Sequence, residues 1–396
     1  MGNPVIAADE IETGLAEDGP AWRWPRSAYV HVPFCASKCG YCDFASVAGQ
    51  DDRMADYLAA LAAEGAAVLG QPRPVDTIFI GGGTPTYLTA PLLDQLLTFV
   101  NDWLPLRPGG EFTVESNPNT LDDDKAGILA AHGVNRISLG AQSFEPATLK
   151  ALDRDHDPAA VGKAFDLLRP AIGNVSLDLI FGAPGQTLDG WRRDVEAAVA
   201  LAPAHVSAYG LTYEKGTPLW RRKQLGVVTP VEENCEREMM EHALDRFAAA
   251  GFSHYEVSNF AGPGGPCRHN LAYWANHAYW GLGPGAAAYV GGTRSLNTRE
   301  LGSYLERCRI GRSPVTQSET LNPAERARET AMLNLRRTAG VDRGDFFAQT
   351  GFAFDDLAPA ALRRWTDHAL LADDGRTVRL TRAGLLLADG VLASFL

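Results

Sequence analysis

The chain has 396 residues, a formal net charge of −12 at pH 7 and 45% hydrophobic residues. That length supports one large α/β domain and a smaller one, and the acidic balance offers no general attraction to a nucleic-acid backbone. No run of 18 apolar residues suggests a membrane span, residues 1–17 lack the basic-then-apolar pattern of a secretory signal, and six cysteines in so long a chain fit a reducing compartment, by default the cytoplasm.

After a flexible N-terminal segment (residues 1–26), the first strand-like run, Tyr29–Val32, ends at Pro33 and opens on Cys35-Ala-Ser-Lys-Cys39-Gly-Tyr-Cys42. Three thiols at C-x3-C-x2-C in one loop suit a [4Fe–4S] cube, whose usual ligands are cysteine thiolates. Three ligands leave one iron open, and the amine and carboxylate of S-adenosylmethionine (SAM) could bind it. A zinc site made of the same cysteines and His31 is the competing reading. It needs a ligand on the strand, and zinc motifs usually come as two ligand pairs.

Five more strand-like runs follow, Val75–Ile80, Glu111–Glu115, Val134–Leu139, Val175–Phe181 and His205–Leu211, alternating with helical stretches at Arg53–Leu69, Ala90–Trp103, Leu121–His132, Pro158–Leu168 and Leu188–Leu201. This is the pattern of βα units around a parallel sheet. Glycine, proline and amide residues gather after each strand: Gly81-Gly-Gly-Thr-Pro85, Ser116-Asn-Pro118, Gly140-Ala-Gln-Ser-Phe144, Gly182-Ala-Pro-Gly-Gln186 and Thr212-Tyr-Glu-Lys-Gly216. Barrel-type α/β folds place their active sites at those strand ends. Six units instead of eight leave the barrel open on one side, where a large substrate could enter.

Each candidate has a plain alternative. Gly81–Gly83 is either a tight turn or a place where backbone approaches a ligand. Glu115 and Asp178 lie on otherwise apolar strands, and buried carboxylates need partners, so each caps a neighbouring turn or binds hydroxyls or an ammonium. Gln142 and Arg154 follow the fourth strand, where polar loops are also common. Cys235 and Cys308 have no ligand-spaced partners and read as structural.

Taken in order, Y-V-H-V-P-F-C-x3-C-x-Y-C-D-F, G-G-G-T-P, E-S-N-P, L-G-A-Q-S-F, L-D-L-I-F-G and Y-G-L-T-Y-E resemble the radical-SAM family of oxygen-independent coproporphyrinogen III oxidases and their relatives, from about Tyr29 to Tyr289. The resemblance implies a partial (β/α)6 barrel carrying a [4Fe–4S] cluster on Cys35, Cys39 and Cys42. It also implies SAM contacts at Tyr29, Gly82 and Glu115, and contacts to a second SAM at Gly83, Thr84, Gln142, Arg154 and Asp178. The oxidases carry a further cysteine two residues after the third; here that position is Phe44. That departure, a short arm before the motif and the run His269-Asn-Leu-Ala-Tyr273-Trp274 are similar to the HemW branch, the haem chaperones. Imidazole is a standard haem-iron ligand, which makes His269 the haem candidate, with Cys267 as a second. The plainer reading is that His269 and Asn270 satisfy backbone groups while Tyr273 and Trp274 fill the core.

The rest of the chain, residues 291–396, reads as a linker (Gly291 to Pro314) and a small winged-helix-like domain. Its helices are expected at Glu325–Thr338, Arg343–Gln349 and Leu357–His368, its hairpin at Leu370–Ala372 and Thr377–Leu380 around Asp374-Gly375, and its last helix at Arg382–Phe395 behind a Thr381 cap. Arg326, Arg328, Arg336 and Arg337 sit among glutamates and alanines, so partner contact or packing is expected rather than DNA binding.

The functional expectation is a haem chaperone that binds the cluster, SAM and haem and delivers haem to respiratory haem proteins, as a monomer or a cluster-dependent dimer. Peripheral contact with a membrane fits that role. The alternative is an oxygen-independent coproporphyrinogen III oxidase, converting two propionates to vinyls. A radical-SAM C-methyltransferase is a third option, and no residue here selects a substrate for it.

Overall fold

The computed structural model describes residues 19–396. Residues 1–18 of the expected N-terminal segment lie outside them. Within residues 20–26, Trp24 is buried, meets Trp280 edge-on at 6.4 Å, and lies under the Arg73 guanidinium.

Six parallel strands form the barrel wall: β1 (Ser27–Val32), β2 (Val75–Gly82), β3 (Leu106–Ser116), β4 (Arg136–Gln142), β5 (Val175–Phe181) and β6 (His205–Gly210), hydrogen-bonded in chain order. Between them run α1 (Met54–Leu69), α2 (Ala90–Trp103), α3 (Asp123–Ala131), α4 (Pro158–Ala171) and α5 (Leu188–Ala200). The caps are those the residues dictate. The side chains of Asp122, Asp157 and Thr187 accept the first free amides of α3, α4 and α5. Successive side chains on a strand face opposite ways. Val30, Ile78, Ile80, Val114, Ile137, Leu139, Leu177 and Val206 therefore share one apolar core with the helices, while the alternate positions look inward.

The sheet does not stop at six strands. It runs to twelve, because β1 also pairs with β9 (Tyr279–Leu282), followed by β10 (Ala287–Val290), β11 (Thr293–Asn297) and β12 (Val315–Thr320), and β6 pairs with the hairpin of β7 (Ser253–Glu256) and β8 (Asn259–Ala261). It stays open, with β12 and β7 at its edges.

The linker expected over Gly291 to Pro314 is thus corrected: it supplies β11 and a helix, Leu301–Arg309, packed on α1. The reason lies in α1, whose alanine-rich sequence suggested a plain outer helix. Glu64 is fully buried there and accepts the Gly283 amide (2.8 Å), the Tyr304 hydroxyl (2.7 Å) and the Asn297 side chain. One buried carboxylate so ties three later segments to the first helix.

The C-terminal unit has a separate core of Leu335, Val341, Phe346, Phe354, Val378, Val391 and Phe395. Its three-stranded antiparallel sheet, β13 (Val341–Asp342), β15 (Thr377–Leu380) and β14 (Leu371–Asp373) in spatial order, carries helices at Pro323–Leu335, Arg343–Thr350 and Pro359–Asp367, matching the winged-helix-like expectation. Asn322 and Glu325 form a reciprocal capping box on the first. The single last helix expected over 382–395 is broken into Arg382–Leu385 and Ala388–Ala393; Gly384 is pressed against the Leu370 carbonyl, and Leu385–Leu387 turn onto the barrel cavity. Among the described residues no helix is long and apolar enough to cross a membrane.

Candidate functional site: the barrel cavity

The open barrel encloses a cavity of about 1880 Å³, lined by the cysteine loop and the strand ends and, from the C-terminal unit, by Arg336, Arg382 and Leu385–Leu387. All twelve residues singled out from the sequence, Cys35, Cys39, Cys42, Tyr29, Gly82, Gly83, Thr84, Glu115, Gln142, Arg154, Asp178 and His269, line it.

Proline at position 33 ends β1, and the loop is closed at its base by backbone bonds Cys35 N–H to Val47 O (3.0 Å) and Val47 N–H to Pro33 O (2.8 Å). Its middle is held by Gly40, which donates to Leu152 O and accepts from Leu219 N–H. The thiols therefore sit in a loop pinned at three points. Thr84 Oγ1 donates to Cys35 Sγ at 3.7 Å, Arg154 donates to Cys39 Sγ at 3.4 Å, and Ser46 Oγ lies 4.0 Å from Cys42 Sγ. Burial pushes the Cys35 thiol up to about 11 and raises that of Cys42. All three are free thiols, and among the described residues no three His, Cys, Asp or Glu side chains close on a single-ion site. Three separately placed thiols, each beside a polar hydrogen-bonding side chain, fit a cluster in which different irons take different thiolates.

Beside the loop, β2 ends in the glycine turn. Gly82 has φ +100°, and a Cβ there would collide with the His31 ring; one on Gly81 would lie 2.6 Å from the Glu115 carboxyl. Glycine is needed because the backbone passes between two buried side chains. The Gly82 amide donates to Glu115 Oε2 at 3.0 Å, so the carboxylate does cap the neighbouring turn. Burial, partly offset by that hydrogen bond and reinforced by Asp178, raises the Glu115 carboxyl to about 7. Gln142 holds φ +63° at a break in the β4–β5 register, a strained conformation of the kind found at ligand sites. Arg154 is locked by Gly140 O (2.7 Å). Asp178 accepts from Ser138 Oγ at 2.8 Å while its Oδ1 has no partner.

His269 is fully buried at the opposite, N-terminal end of the barrel. Its amide donates to Glu111 Oε1 (3.0 Å), its Nδ1 meets Thr77 Oγ1 (2.9 Å), and its ring lies 5.3 Å from that of Phe79. Its Nε2 has no partner, and burial lowers the imidazole to about 3. Cys267, the second haem candidate, is corrected: its thiol donates to Glu111 at 3.5 Å and does not line the cavity. Glu111 in effect caps the short Arg268–Trp274 helix that plugs the barrel floor.

Arg136, Ser138, His205, Ser207 and Tyr209, none of them singled out from the sequence, also line the cavity, as does His31, which the sequence offered only as a competing zinc ligand. His31 links Tyr29 OH (2.9 Å) to the carbonyl of Ala45 at the end of the cysteine loop (3.1 Å). The signal was present: parallel strands buried on both faces normally read as continuous apolar runs, whereas Arg136-Ile-Ser-Leu-Gly-Ala-Gln and His205-Val-Ser-Ala-Tyr are polar at every second position.

The comparisons agree with this geometry. The Radical SAM superfamily model matches residues 29–198 and the HemN C-terminal domain model residues 321–387. Proteins named heme chaperone HemW are similar over nearly the whole chain: that of Bacillus subtilis at 38% identity over 376 residues (94% of this chain, 99% of the relative), that of Mycobacterium tuberculosis H37Rv at 39% over 382 residues (94% and 95%), and that of Escherichia coli K12 at 34% over 383 residues (94% and 98%). The structure of coproporphyrinogen III oxidase (HemN) from Escherichia coli, a radical SAM enzyme, matches with a TM-score of 0.83 over 94% of this chain and 90% of that one, at 20% identity, which speaks to fold alone. With its thiol loop, partial barrel and C-terminal unit in the order its relatives share, the chain belongs to the HemW haem chaperone family of coproporphyrinogen oxidase-like radical SAM proteins.

Proposed function

We propose that this protein is a cytoplasmic haem chaperone that binds a [4Fe–4S] cluster through Cys35, Cys39 and Cys42, binds SAM beside it, and hands haem to respiratory haem proteins. The observation that carries the reading is the convergence of three thiols, the SAM-contact candidates and His269 on one cavity. At about 1880 Å³ it exceeds the roughly 300–1,000 Å³ of a single small-ligand pocket, which leaves room for SAM and a tetrapyrrole together. When bound, such a cluster offers one iron without a protein ligand, to which the amine and carboxylate of SAM can bind.

The chain's own groups have distinct parts. Thr84 and Arg154, already hydrogen-bonded to Cys35 and Cys39, stabilise the thiolate form. Glu115, Gln142 and Asp178 orient SAM by accepting or donating hydrogen bonds, Tyr29 packs beside them, and Gly82 and Gly83 let the backbone approach. His269 offers Nε2 to haem iron, since its other nitrogen is held by Thr77. Phe44, exposed at 61%, stands where the oxidases have a cysteine, which favours carriage of haem over porphyrinogen oxidation.

The test uses anaerobically reconstituted protein with SAM and a reductant, given coproporphyrinogen III in one reaction and haem in another. We expect stoichiometric haem uptake and transfer to an acceptor haem protein, with no vinyl product. Vinyl-bearing porphyrinogen in the first reaction would overturn the chaperone reading in favour of the oxidase. A His269→Ala variant with unchanged haem affinity and spectrum would remove the iron-ligand assignment alone.

A further inference from the structure

At the floor of the barrel, below the cysteine loop and the SAM-contact residues, lies a buried cation that Glu111 and Asp178 favour through space but that no described side chain bonds directly. Arg136 is the first residue of β4, only 2% exposed, and it lines the cavity. Among the described residues its guanidinium makes no hydrogen bond or ion pair, and its buried Nε is without a partner. Two more unpartnered polar atoms stand with it. Thr113 Oγ1, on the β3 residue in register with Arg136, is fully buried and unsatisfied. Phe79 of β2 is in register with Thr113 in turn, and against its ring lies His269, whose Nε2 is also free.

The two nearby carboxylates act on Arg136 through space, and their hydrogen bonds go to other groups. Glu111 accepts the Arg268 and His269 amides (both 3.0 Å) and the Cys267 thiol, and Asp178 accepts from Ser138. Burying an unpaired charge costs several kcal/mol, and a protein keeps such a group where a ligand of opposite charge completes it. We propose that Arg136, in register with Thr113 and lining the same cavity as His269, forms a carboxylate-binding pocket at the barrel floor. A guanidinium fork donates two parallel hydrogen bonds to a carboxylate. The proposal deepens the haem and SAM reading above and rests on it for the two ligands that could bring the group: a propionate of the tetrapyrrole, or the methionine carboxylate of a SAM molecule.

The experiment measures four affinities on the full-length, cluster-reconstituted chain, for wild type, Arg136→Gln and Arg136→Lys. The probes are haem, haem dimethyl ester, SAM and decarboxylated SAM, alongside melting temperatures of the unliganded proteins. One charge-assisted pair is worth about a tenfold to hundredfold preference for the carboxylate form. Arg136→Gln should erase that preference for one of the two pairs, Arg136→Lys should keep part of it, and the pair affected names the source. Arg136→Gln should melt close to wild type, because it breaks no direct hydrogen bond or ion pair among the described residues. Carboxylate preferences that survive in both pairs overturn the pocket. So does a preference lost together with a large drop in melting temperature, which would make Arg136 a structural residue. Failure of wild type to bind haem at all would count against the chaperone reading, while the SAM pair would still test the pocket.

Discussion

The barrel and the C-terminal unit use their strands in opposite ways. In the C-terminal unit, Val341, Leu371, Val378 and Leu380 face an apolar core closed by Phe346, Phe354 and Phe395, with the rings of Phe354 and Phe395 stacked at 5.7 Å. In the barrel the apolar side chains face outward to the helices, and the inside is Tyr29, Glu115, Arg136, Ser138, Asp178, Ser207 and Tyr209. A full-sized barrel fills its interior with branched apolar layers; this one keeps polar groups there, several of them lacking partners. One region is organised for stability. The other holds buried polar atoms without protein partners, turned to the cavity.

The largest expected effect falls on the cysteine loop. Cys39→Ala should take bound iron from about four per chain to near none and remove absorbance in the region of about 400 nm, while the melting temperature of the unliganded chain stays close to wild type, since the loop is pinned by backbone bonds. Iron analysis with thermal melts decides it, and unchanged iron content would defeat the cluster assignment.

The C-terminal core should show the reverse. Phe354→Ala removes a buried ring from two aromatic contacts and should cost about 3–5 kcal/mol of that unit's stability, read by denaturant unfolding, with little effect on iron loading. A loss below about 1 kcal/mol would mean that this core is not the closed one described.

Glu115 sharpens the contrast from inside the barrel. Its folded value of about 7 lies above the ordinary 4.5, chiefly through burial. A raised carboxyl stabilises the fold in its protonated form, so that contribution is complete below about pH 4.5 and is lost as pH rises towards 7, a change of roughly 3 kcal/mol. The melting temperature of the unliganded wild type should therefore fall over that window relative to Glu115→Gln. Parallel pH profiles for the two proteins would show that the carboxyl ionises without strain.

The smallest effect concerns the join between the two regions. Arg382 of the C-terminal unit pairs with Asp245 at 2.5 Å, both largely exposed. Such a pair is worth under about 1 kcal/mol, so Arg382→Ala should leave stability nearly unchanged. A large loss on chemical denaturation would show that the two regions depend on each other more than their separate cores suggest.

Features set by local chemistry were legible in the chain. The repeating βα pattern placed α2 and β5 to the residue, and the thiol spacing with glycine-rich strand ends located the mouth of the cavity. Those signals are read within a few residues of one another. The remaining features rest on long-range pairing. The stretch from Gly291 to Pro314 looked like a linker because its partner, Glu64, lies more than two hundred residues earlier on a helix whose surface looked plain. Cys267 looked like a thiolate ligand until Glu111 claimed it. Arg136, Thr113 and His269 come from β4, β3 and a late helix, and no window of sequence contains all three. That each holds an unpartnered polar atom becomes visible only when the sheet has curved around them, because a missing partner is a property of surroundings and not of a residue.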